Sequence, residues 1–295
     1  MGARPAPVAP VIHLDGATVL LQWAVGGLLF LWVTTRRREV GLGYGWLLRG
    51  VFGLMAMGAF AIGAVAGHPS AGRSVCALLC ATAAAATLAV SVSRRKAGVA
   101  GQVALAERRT ARVAAMTGID RAPAPVDRRG PEFPPALDLV APAVGAVGLL
   151  FAAHADGGPF ALDAARTLVG AAFLGSVTAA MLLGHWYLVQ PGLGRAPLLE
   201  LVRWLIILWP LEVAVMLWPV GMVSVFTGRV NDGWNGTMGW FWAACAVTTV
   251  VLAVVTRKAL EERSYSAVMA ATGLLYLAIL TAAGTDLVAR AVLAR

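Results

Sequence analysis

The sequence predicts an all-α, polytopic integral membrane protein: a helix bundle of about eight transmembrane helices, with both termini outside. Three observations predict it. Apolar segments of helix length recur along most of the chain. Hydrophobic residues fill 59% of the 295 positions and charged ones only 13%, against roughly 25% charged in a soluble domain. Basic residues collect in alternate loops. The mean hydropathy is +0.76. About 20 apolar residues cross the ~30 Å hydrocarbon core as a helix, which satisfies its own backbone polar groups.

The first span, 17–34, runs into Arg36, Arg37 and Arg38. The second, 44–66, carries Arg49 near its start and is followed by His68. The third, 74–93, opens with Cys76 and Cys80 at i, i+4, which read as small packing residues. The fourth, 138–154, ends at His154. In the fifth, 164–189, Gly170, Gly175, Ser176, Ala180 and Gly184 offer close-approach surfaces. In lipid such surfaces let backbones touch, so this helix is expected inside the bundle. The sixth, 198–223, holds Arg203, Glu212, Pro210 and Pro219. The seventh and eighth are 236–256 and 266–289.

The spans divide the chain into an N-terminal part, 1–93, a long basic loop, 94–137, and a C-terminal part, 138–295. The four loops on one side carry sixteen of the 24 Lys and Arg, and the opposite side carries six. Positive charge resists translocation, so the rich side, including 94–137, is expected in the cytoplasm and the protein in the cytoplasmic membrane. Charge distributed by loop in this way is not a nucleic-acid signal. Within the loop, 99–116 has helix-forming composition, and RAPAPVDRRGPEFPP reads as an extended linker. The basic helix suits anionic lipid or a partner subunit of a membrane complex, or is simply a solvated loop.

An ionisable group inside a span is costly and marks a candidate site. Glu212 lies 14 residues beyond Leu198, about 21 Å along the axis. Pro210 and Pro219 cannot donate to the carbonyls of Ile206 and Val215, so Glu212 is expected between two freed carbonyls on a kinked helix. A carboxyl there is expected to hold a proton at rest and to relay protons, bond a quinone or bind a cation. A second group, Arg49, Arg203 and His185, lies at similar depth near the basic side and is expected to form a cationic pocket for an anionic or quinone head group, unless the arginines snorkel. On the other side, His68 and His154 are a weak candidate pair for one b-type haem or a metal. Asp163 with Arg166, and Asp286 with Arg290, read as local ion pairs of small weight.

The chain lacks GxxxxGK[ST], HExxH, GxSxG and CxxCH, which removes support for ATP-driven work, zinc proteolysis, serine hydrolysis and covalent haem. In outline, eight helices with both termini outside resemble the membrane-anchor subunits of respiratory oxidoreductases, a likeness of architecture that carries no residue across. The expectation is therefore a membrane subunit of an electron-transfer or redox-linked complex that binds quinone or a single haem, with Glu212 or His185 exchanging the quinol proton. The alternatives are a small-solute or ion transporter with Glu212 as coupling carboxylate, and a structural subunit or assembly factor without a ligand.

Overall fold

A computed structural model describes residues 14–66, 70–95, 100–118, 133–190, 193–230, 232–262 and 264–293. Among these residues the chain is helical throughout, with no strand. The helices are α1 (Gly16–Thr35), α2 (Leu42–Ala66), α3 (Ala71–Ser93), α4 (Ala100–Thr117) and α5 (Val140–Ala155), the last preceded by a 3-10 turn, Pro135–Leu139. They continue with α6 (Phe160–Val189), α7 (Ala196–Leu217), the short α8 (Val223–Phe226), α9 (Thr237–Glu261) and α10 (Tyr265–Leu293). Seven are long and apolar enough to cross a membrane: α1, α2, α3, α5 with its 3-10 turn, α6, α9 and α10. The eighth expected span, α7, packs with them against α6 and α9, but carries Glu200, Arg203 and Glu212. The protein is a polytopic helix bundle of the integral membrane class. The basic helix expected over 99–116 is α4, and the Pro-rich linker, 121–135, lies outside the described residues up to 132.

Two helices form the centre. α1 packs on α2, α5 and α6, and α6 packs on α1, α5, α7 and α10. Their backbones touch: a Cβ on Gly26 would stand 1.7 Å from the Ala171 carbonyl oxygen, and one on Gly175 would stand 2.1 Å from the Gly26 carbonyl carbon. Residues 173–180 of α6 are buried without interruption. The small-residue surface read in the fifth span is this contact. Without a hydrophobic drive between helices in lipid, close van der Waals approach holds them together. Cys76 and Cys80 pack beside Gly148 and Gly145 of α5, which joins that helix to α3.

Because the spans alternate in direction, the starts of α1, α3, α6 and α9 gather at one face with the ends of α2, α5, α7 and α10. The basic loops lie at the opposite face, where Glu200 of α7 bridges Arg36 and Arg37. There the Arg195 guanidinium donates to the carbonyls of Leu260, Glu262 and Ser264, closing the end of α9. At the first face, α1 starts on an N-cap, Asp15, that accepts from the Ala17 N–H at 3.1 Å. Asp232 accepts from the N–H groups of Trp234, Gly236 and Met238 before α9. Its burial disfavours charge, but these backbone bonds outweigh it and hold the carboxyl below the usual range.

The sixth span departs from expectation at its end. It was expected to run to 223 with a second kink at Pro219; instead α7 stops at Leu217, with Trp218 as its C-cap. Gly221, at φ +29°, then crosses tightly over Met216, where a Cβ would stand 1.9 Å from the Met216 carbonyl oxygen. Pro210 alone lies inside the helix. The carbonyl of Val215, which Pro219 cannot serve, is taken by a side chain: Arg166 Nε donates to it at 3.0 Å, and Arg166 Nη2 donates to the Trp218 carbonyl at 2.8 Å. Glu212 therefore lies five residues, or about 7.5 Å, from the end of its helix, nearer one face than the sequence spacing suggested.

Candidate functional site

The helix ends at the face away from the basic loops enclose a pocket of about 390 Å³. Three aspartates and three arginines line it: Asp15, Asp156 and Asp163, and Arg73, Arg166 and Arg290. Each comes from a helix end that the alternation brings there. Arg73, in the first turn of α3 and only 2% exposed, pairs with Asp15 and donates to Thr18 Oγ1 at 3.1 Å. Arg166 Nη1 lies 3.9 Å from Asp163. Asp156, just past α5, is exposed, but partial desolvation at the pocket rim and the negative charge of Asp163 and Asp15 push its carboxyl above the usual range.

Below the pocket a polar cluster descends into the bundle. Arg290, in the last turn of α10, donates through Nε to both carboxylate oxygens of Asp286 at 2.9 Å. Its Nη2 donates to the Arg166 carbonyl at 2.8 Å. Gln22 Nε2, from α1, donates to the same two Asp286 oxygens at 3.0 and 3.1 Å. Gly170 of α6 leaves the space for this meeting. A Cβ there would stand 2.3 Å from Asp286 Oδ1, 2.5 Å from Gln22 Nε2 and 2.8 Å from Arg290 Nη2. The pair read from sequence as a local one of small weight is instead buried, with Asp286 at 0% exposure, and tied to two other helices.

Glu212 completes the cluster from α7. It is 0% exposed and lies beside Asp286 and Arg290. Neither of its carboxyl oxygens meets a hydrogen-bond donor, and neither does Gln22 Oε1. Met216, one turn further along α7, lines the pocket. The freed carbonyl on the Pro219 side of Glu212 is closed by Arg166, a pocket residue. Among the described residues, Glu212 is thus the sequence-identified candidate that lies next to a cavity, through Met216 and Arg290.

The cationic pocket expected from Arg49, Arg203 and His185 does not assemble. Arg49, 4% exposed, turns toward the start of the fourth span. Its Nε and Nη2 donate to the two oxygens of Asp138 at 2.8 and 2.7 Å, and its guanidinium lies 4.6 Å from the centre of the Phe133 ring. Asp138 neutralises it, so Arg49 does not snorkel and offers no free charge to a ligand. His185 faces α10, with Nδ1 3.3 Å from the Tyr276 hydroxyl. Arg203 is exposed on α7. The three residues point to different sides because their helices present different faces at that depth. His154 is exposed, edge-on to Phe160, and His68 lies outside the described residues. Among the described residues no three His, Cys, Asp or Glu side chains gather as a metal site.

Sequence reasoning missed Gln22, and it gave Asp286 and Arg290 too little weight. The signals were present: Gln22 is the lone amide in its span, and Arg290 is one of only six basic residues on its side. The chain matches no protein-family model, no characterised protein and no solved structure.

Proposed function

We propose that this protein is a carrier for a small polar solute in the cytoplasmic membrane, with the pocket as its solute site and Glu212 as its coupling carboxylate. The observation that carries the reading is the placement of Glu212: fully buried, facing no hydrogen-bond donor, and one helical turn from Met216 of the pocket wall. An ionisable group at such a position is expensive in a membrane and is retained for a function. A cavity of about 390 Å³ suits a solute the size of an amino acid or small diacid. Its alternating acidic and basic walls suit a ligand that itself carries charge. By the distribution of basic loops, the pocket opens to the outside and the opposite face lies in the cytoplasm.

The redox-subunit reading keeps Glu212 as a proton-exchanging group for a quinol but no longer has the Arg49–Arg203–His185 pocket beside it. The scaffold reading keeps α4 as a docking element and leaves the buried cluster without a task. The test is uptake by proteoliposomes of the full chain, with radiolabelled alanine, putrescine and succinate as zwitterionic, cationic and dianionic probes. Uptake of at least one above empty vesicles, lost with Glu212→Gln, is expected. Uptake of none, or uptake unchanged by Glu212→Gln, overturns the carrier reading.

A further inference from the structure

The cluster below the pocket contains one formal positive charge, on Arg290, and two carboxyls, Asp286 and Glu212. With both carboxyls ionised it would hold an uncompensated negative charge inside the bundle, where water cannot solvate it. One further positive charge is required. The hydrogen bonds show where it is missing. Both Asp286 oxygens accept from Arg290 and Gln22, whereas both Glu212 oxygens and Gln22 Oε1 are buried acceptors with no donor.

We propose that Glu212 and Asp286 together bind a single exchangeable proton, with Arg290 as the fixed countercharge, so that the ion coupled to the pocket is H⁺ and not a metal cation. This rests on the carrier reading for its role, but the site itself can be tested without any solute. A hard metal cation takes about six oxygen ligands. The cluster has three unused side-chain acceptors among the described residues, and the Arg290 guanidinium already occupies the approach to Asp286. A proton needs only one oxygen on Glu212 and an acceptor facing it.

The surroundings of Glu212 are consistent with this count. The charged groups acting on it are Asp286 and Arg290 of α10. From α6, Arg166 donates to Val215, three residues along α7, and its pocket neighbour is Asp163. α1 contributes the uncharged Gln22, and Cys245 of α9 packs against Gly284. Arg290 lines the pocket and binds Asp286 at once, so it connects the proton site to the cavity.

Infrared difference spectra of the full chain in lipid, recorded between acidic and alkaline pH in H₂O and in D₂O, test the proposal. A protonated-carboxyl band that bleaches with rising pH, shifts in D₂O, is absent in Glu212→Gln and does not change when K⁺ is replaced by Na⁺ is expected. Asp286→Asn is expected to move this band. Where Glu212→Gln does not fold, Gln22→Leu, which leaves both carboxyls, is expected to shift it. No band responding to these substitutions, or a band removed by Na⁺ at constant pH, overturns the proposal. A band present without solute uptake would leave the proton site standing and remove the carrier role alone.

Discussion

Gln22 and Asp286 stand 264 positions apart in sequence, yet the Gln22 amide donates to both oxygens of the Asp286 carboxylate. This contact joins α1 to α10 across the notch left by Gly170. It also adds to the hydrogen bonds that Arg290 gives the Asp286 carboxylate.

Removal of Asp286 is expected to be more damaging than removal of Gln22. Asp286→Ala removes the carboxylate that Arg290 and Gln22 bond and leaves Glu212 as the one carboxyl beside the guanidinium, a loss of up to about 3–5 kcal/mol. Gln22→Leu leaves a carboxylate still paired to Arg290 and costs about 1–3 kcal/mol. Unfolding in detergent, followed by circular dichroism, orders the two. Equal and small effects would show that the cluster does not support the bundle.

The Arg49–Asp138 pair has the same logic at the other face. Both side chains are almost fully buried, at 3% and 1% exposure. Asp138→Leu alone is expected to destabilise by about 3–5 kcal/mol, while the double replacement of Arg49 and Asp138 by leucine is expected to recover most of that. Thermal unfolding of Arg49→Leu, Asp138→Leu and the double variant gives the coupling. Additive losses would contradict the pair.

Glycine substitutions separate contact from composition. Gly26→Ala and Gly175→Ala drive a methyl group into the backbone of the facing helix and are expected to abolish folding or cost several kcal/mol. Gly273→Ala and Gly50→Ala place the methyl group in open space and are expected to be tolerated or mildly stabilising. Yield and monodispersity after detergent extraction distinguish the two pairs.

Asp156 gives a pH-dependent prediction. Partial desolvation at the pocket rim and the neighbouring aspartates raise the carboxyl of this exposed residue above the range it has in the unfolded chain. A raised acid destabilises the fold when ionised and stops doing so as pH falls through its folded value. Asp156→Asn is therefore expected to raise the melting temperature slightly at neutral pH, with the difference vanishing below the unfolded value of about 3.9. A variant less stable than wild type at neutral pH would contradict this reading of the pocket rim.

The span positions were legible because helices in lipid need long apolar runs, and the central place of α6 was legible from Gly175 and its neighbours. The partners of charged residues were not. Arg49 and Asp138 stood in the sequence at matching depth at the same side, but depth alone does not say which faces meet. Asp286 and Arg290 carried an i, i+4 spacing found on countless surface helices, and only packing against Gln22 and Gly170 makes them a site. The end of α7 was misread because Pro219 can kink a helix or follow one. Here it follows, and Arg166 satisfies the Val215 carbonyl it leaves open.

In the proposed carrier, a proton on Glu212 enters with solute held in the pocket. The internal pH of proteoliposomes, read with an enclosed pH-sensitive dye while an inward gradient of the transported probe is applied, reports this coupling. Acidification that follows solute entry in the wild type, and disappears with Glu212→Gln, is predicted. Solute entry without acidification, or acidification that persists in Glu212→Gln, would contradict it.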